Sequence, residues 1–119
     1  MQTRNVQTQL GPVQIGIILL GLATAYIHLY LSTELIANGM NGTLFILNGL
    51  GYQALLAGLF LPIPIVKNYR PVVRILLIVF TLVTIIGWIA VGSRDAWGFV
   101  DKAIEVGLVI LVWLDRSRN

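Results

Sequence analysis

The run ILLIVFTLVTIIGWIAV, residues 75–91, holds 17 consecutive residues without a charge. A helix crosses the roughly 30 Å of bilayer hydrocarbon with about 20 mainly apolar residues, and this run is of that kind. Strands would be shorter and bounded every few residues by turns, and a soluble helix would carry a charged face. Residues 75–91 show neither pattern.

Three comparable stretches lie around it. Upstream, Val13 to Leu31 follows Pro12, a residue suited to a first helical turn. Thr43 to Leu61 lies between the turn signal Asn38-Gly39-Met40-Asn41-Gly42 and the breaker Pro62-Ile63-Pro64. Downstream, Phe99 to Leu114 is the shortest and carries Lys102 and Glu105. The expectation is an all-α integral membrane four-helix bundle, one domain over 1–119, with helices over 13–31, 43–61, 75–91 and 99–114. The polar stretch Met1 to Gln9 is unlike a cleaved signal peptide, so the first apolar segment is read as a span.

Composition agrees with a lipid-facing chain. Hydrophobic residues make up 57% and charged residues 11% of the 119, and the mean hydropathy is +0.86. Soluble domains are about a quarter charged, so the polar surface here is too small to cover a globule. The net charge of +3 comes without a basic run, which argues against nucleic acid as a partner. The chain has no cysteine, so disulfides, thiolate metal sites and thiol nucleophiles are excluded.

The basic residues instead set an orientation. Under four spans, Arg4, Lys67, Arg70, Arg74, Arg116 and Arg118 fall on one side and only Arg94 and Lys102 on the other. Lysine and arginine accumulate on the cytoplasmic side. Both termini are therefore expected in the cytoplasm, with the chain in the inner (plasma) membrane and lipids as its first partners. The loop from Pro62 to Pro71 could touch anionic headgroups.

Ionisable groups inside a span are costly and are functional candidates by default. His28, the only histidine, stands between Thr24 and Ser32 at i, i+4 spacing, with Gly21 on the same face. It is a candidate axial ligand for a haem or chlorophyll-type pigment, or a hydrogen-bond partner for a quinone, although the sequence requires no cofactor. The bland alternative is a histidine satisfied by a neighbouring helix. Asn48 and Tyr52 share a face of the second segment, Trp88 approaches from the third and Glu105 from the fourth. Together with His28 they are expected to form one polar layer in the outer leaflet, either as interhelical glue or as a small site. Asp101, Lys102 and Glu105 are read as helix-terminal groups, the acids favoured by the helix dipole and Lys102 snorkelling outward. Only Gln53 and threonines then remain at mid-depth, which speaks against a proton-coupled transporter. Gly51, Ala54 and Gly58 form a small-residue face suited to close helix packing.

Several short motifs carry a resemblance. They are Ile27-His28-Leu29, Leu44 to Tyr52, Thr81 to Trp88, and Val100-Asp101-Lys102-Ala103. Through them the chain resembles a loosely defined group of small four-span prokaryotic membrane proteins without an assigned activity. The resemblance implies the architecture and little else. The first segment has neither the embedded glutamate of small multidrug transporters nor the glycine-rich arginine motif of fluoride channels.

The expected role is a non-catalytic accessory subunit packed within a larger membrane complex. Respiratory and photosynthetic electron-transfer assemblies are the precedent by analogy. The alternative is a small pigment-, haem- or quinone-binding module using His28, with a small transporter behind it. No nucleophile, base and orienter stand at a spacing that would make an enzyme.

Overall fold

The computed structural model describes residues 10–92 and 94–117. Arg4, Ser93 and Arg118 therefore lie outside the described residues. Among those described the chain is all-helical: α1 (Pro12–Ala37), α2 (Thr43–Phe60), α3 (Pro64–Asn68), α4 (Arg70–Val91) and α5 (Ala96–Leu114), followed by a 3-10 turn, Asp115–Ser117.

Local chemistry explains the boundaries. Pro12 occupies the first turn of α1, and Gln14 Oε1 accepts the Gly11 N–H at 2.9 Å, satisfying a donor the helix would leave open. At the other end Gly39 has φ +78°, the left-handed conformation that glycine adopts without a Cβ clash. Gly39 N–H donates to Ile36 O and Met40 N–H to Leu35 O, a Schellman termination. This stop lies six residues beyond the expected end at Leu31, because Ser32 to Ala37 continue the helix past the apolar run. Leu61 is extended ahead of Pro62 and ends α2. Helix α4 starts at Arg70, not Ile75, with Pro71 in its first turn. The short α3, opened by Pro64, was not legible as a helix between the two prolines. Asp95 caps α5, its Oδ1 accepting the Gly98 N–H at 2.8 Å.

The four long helices run up and down and close a ring. Helix α1 packs on α2 and α5, and α4 packs on α2 and α5. Glycines set two of these contacts. A Cβ on Gly49 would lie 2.7 Å from Leu29 Cγ and 3.0 Å from the Ala25 carbonyl oxygen, so α1 and α2 meet almost backbone to backbone. Gly51 and Gly58 are covered by Phe80 and Val73 of α4, so most of the small-residue face of α2 is used within the chain. Gly21 lies under Leu56, which fills the space a flat ring would need. Gly49→Val is expected to lower the unfolding free energy in detergent by about 1–3 kcal/mol, since backbone cannot swing away. Wild-type stability in that variant would show that the α1–α2 approach is looser.

The burial pattern is inverted relative to a soluble domain. Leu19, Leu44, Leu47, Ile75, Val83, Ile86 and Ile110 are exposed, whereas His28, Arg70, Arg74, Asp101, Lys102, Glu105 and Asp115 are buried. Helices α1, α2 and α4 are long and apolar enough to cross a membrane. Helix α5 has the length, at 19 residues, but carries Asp101, Lys102 and Glu105.

Candidate functional site

Three helices contribute to one buried polar cluster. From α1 come Thr24 and His28, from α2 Tyr52, and from α5 Asp101, Lys102 and Glu105. Asp101 and Glu105 are one turn apart on α5 and share a face, which the buried Leu108 and Val112 continue. Their placement differs from the helix-terminal reading. Because α5 begins at Ala96, three residues before the expected start at Phe99, these groups sit in its second and third turns. Dipole stabilisation falls off within the first turn and does not account for them. Glu105 is the tenth of the 19 residues of α5, Tyr52 the tenth of 18 in α2, and Thr24 the thirteenth of 26 in α1. Titratable groups thus occupy the middle of the helices, which corrects the expectation that only Gln53 and threonines lie at that level.

Lys102 does not snorkel. Its Nζ lies 2.5 Å from Glu105 Oε1 and 3.1 Å from Asp101 Oδ2, and its side chain is 11% exposed. The second oxygen of Glu105 accepts the Tyr52 hydroxyl at 2.9 Å. Thr24 Oγ1 has one hydrogen and two carboxylates in reach, Asp101 Oδ1 at 2.5 Å and Glu105 Oε2 at 3.3 Å. The closer bond goes to Asp101. Each carboxylate thereby has a charged and a neutral partner, the condition under which a buried charge is tolerated.

His28 is held at both ring nitrogens. Nδ1 lies 2.8 Å from the Thr24 carbonyl oxygen, an atom that can only accept, so Nδ1 carries a hydrogen. Nε2 faces Asp101 Oδ2 at 3.5 Å. Phe45 and Tyr52 rings stand 5.5 and 6.2 Å from the imidazole. Axial ligation of a haem or pigment would have to draw Nε2 away from Asp101. One ring nitrogen of His28 and one oxygen each of Asp101 and Glu105 lie within 4.8 Å of one another, a spacing at which they can share a cation. In this arrangement the Lys102 ammonium sits among them as the cation.

Of the five residues expected in one layer, His28, Tyr52 and Glu105 come together here. Asn48 instead donates to Thr84 Oγ1 of α4 at 2.8 Å. Trp88 packs edge-on to Phe99 and lies under the Arg94 guanidinium, 4.3 Å from its ring centre. Arg94 closes the end of α4 by donating to the Trp88 and Ile89 carbonyls. The residues missed were Asp101 and Lys102.

A family model for a family of unknown function, DUF7475, matches residues 1–114. The chain belongs to that family. No curated protein and no solved structure matches it. For this DUF7475 member, the chemistry available must therefore be read from the cluster itself.

A second polar group joins α1, α4 and α5 at the C-terminal end of α5. Gln14 Nε2 donates to Asp115 Oδ1 at 2.7 Å, and Arg74 Nε lies 3.3 Å from Asp115 Oδ2. Arg70 Nε donates to the Leu59 carbonyl at 2.9 Å.

Proposed function

We propose that this protein is an integral membrane protein with four spans and both termini in the cytoplasm, acting as a non-catalytic subunit packed against other transmembrane helices. The fourth span is supported by the direction of its charges. Asp101, Lys102 and Glu105 point inward, while α5 turns Val100, Val106, Ile110 and Trp113 outward. Lipid would then meet an apolar α5. The orientation is supported by Lys67, Arg70, Arg74 and Arg116 at one end of the helices, the end assigned to the cytoplasm by the positive-inside rule.

Gln53 is the observation that carries the packing role. It is the eleventh of the 18 residues of α2 and is exposed beside Leu50 and Ala54. Among the described residues its amide makes no hydrogen bond. A primary amide at mid-depth is costly in hydrocarbon, and glutamine beside a small residue is a recurrent helix–helix contact. A partner helix offering an amide or hydroxyl would satisfy it. Nothing in the cluster ties the partner to an electron-transfer assembly.

Because the chain has no cysteine, single cysteines at Asn41 and Asn68 can test the topology in intact cells. Labelling by an impermeant maleimide is expected at Asn41→Cys and absent at Asn68→Cys. The reverse pattern, or equal labelling, would reject the orientation. For the packing role, gentle extraction from native membrane is expected to yield a stoichiometric partner that Gln53→Leu loses. A lone wild-type chain would sink the subunit reading.

A further inference from the structure

We propose that the His28–Asp101 pair is a one-proton site, exchangeable within the folded protein, with the Lys102–Glu105 pair as its fixed neighbour. The ring orientation decides which nitrogen is involved. The Thr24 carbonyl fixes the Nδ1 hydrogen, so the nitrogen facing Asp101 is Nε2. Without a proton there, a nitrogen lone pair would point at a carboxylate oxygen, both side chains being buried. The contact becomes attractive once one proton lies on either atom.

Charge counting calls for one proton in the cluster, and the ring geometry is what assigns it to the His28–Asp101 contact. The cluster has the carboxylates of Asp101 and Glu105 and the ammonium of Lys102. These sum to one negative charge, and one proton on the His28–Asp101 pair brings the sum to zero. An uncompensated charge buried among helices is costly, and intramembrane histidine–carboxylate pairs are suited to proton relays. Each long helix presents a group toward the cluster. Helix α1 supplies the Thr24 hydroxyl, α2 the Tyr52 phenol, and α5 Lys102 and Glu105. Helix α4 presents the uncharged Thr81 and Thr84 toward Tyr52.

Proton loss leaves a neutral imidazole with its Nδ1 hydrogen retained, an ionised Asp101, and one net negative charge; the proton passes to water. Uptake reverses this. The step needs no oxidant, metal or co-substrate. It makes the attraction between α1 and α5 depend on proton occupancy, a property the subunit reading does not require.

A single histidine makes the test direct. The full chain, labelled with ¹⁵N-histidine and reconstituted in lipid, gives one pair of ring nitrogen signals by solid-state NMR. From acid to alkaline conditions, with helix content monitored, Nδ1 is expected to stay protonated while Nε2 loses its proton in one step. Asp101→Asn, at a pH where wild-type Nε2 is protonated, is expected to lose the protonated Nε2 signal. An Nε2 that keeps one state throughout in wild type would overturn the proposal whether or not the variant folds. So would a folded Asp101→Asn protein with an unchanged Nε2 profile.

Discussion

Lys102→Met is expected to lower the unfolding free energy in detergent micelles by about 3–5 kcal/mol, the range for breaking one side of a buried ion pair. The ammonium is the shared partner of two carboxylates, at 2.5 and 3.1 Å. Methionine keeps most of the apolar stem and removes the charge, so packing loss contributes little. What remains is two carboxylates one helical turn apart with a single proton between His28 and Asp101. A second proton can replace the lost ammonium charge, so the deficit should shrink as pH falls. Adding Glu105→Gln removes the orphaned charge chemically and is expected to recover part of the loss at neutral pH. The amide oxygen introduced by that substitution would still accept from Tyr52. Denaturant titrations of the single and double variants decide it. A Lys102→Met protein as stable as wild type would mean that the ammonium is not a structural counter-ion.

The sequence revealed the helices more readily than the cluster, for identifiable reasons. The uncharged run over residues 75–91 favours a helix long and apolar enough to cross a membrane, and prolines and glycines mark most of the turns. Boundaries slipped where the helix outlasts its apolar stretch, as in Ser32 to Ala37, or begins before it, as in Arg70 to Arg74. The largest consequence came from three residues at the head of α5. Asp95 before Ala96-Trp97-Gly98 is an N-cap signal, and reading it as one would have placed Asp101 and Glu105 a turn deeper. Their i, i+4 spacing, continued by Leu108 and Val112, then marks a face that must point inward. His28 is legible because it is the lone histidine of an apolar segment. Its partner is not, because the helix dipole accounts equally well for an acid near a helix start. Between helices, the expected layer joins residues by depth. Depth does not say which face a side chain takes, and Asn48 and Trp88 turned to α4 and Arg94 instead.

Arg74→Met is expected to cost a similar amount, about 3–5 kcal/mol, through a separate group at the C-terminal end of α5. Arg74 and Asp115 side chains are 5% and 0% exposed. Removing the guanidinium takes from the buried Asp115 carboxylate the cation that stands 3.3 Å from it, while Gln14 still donates to its other oxygen. Asp115→Asn in the same background should restore part of the stability by removing the charge that the guanidinium faced. The two groups share no residue, so the Lys102→Met and Arg74→Met losses are expected to add within about 0.5 kcal/mol. A strongly non-additive result would instead mean that the middle and the end of α5 dock as one unit. Additivity would explain why α5 keeps charges at all. Between helices in lipid there is little hydrophobic drive, so a helix is fixed in register by contacts that lipid cannot replace. Asp101 and Glu105 set the middle of α5 against α1 and α2, and Asp115 sets its end against α1 and α4. Two independent polar clasps fix both the rotation and the height of α5, which neither could do alone.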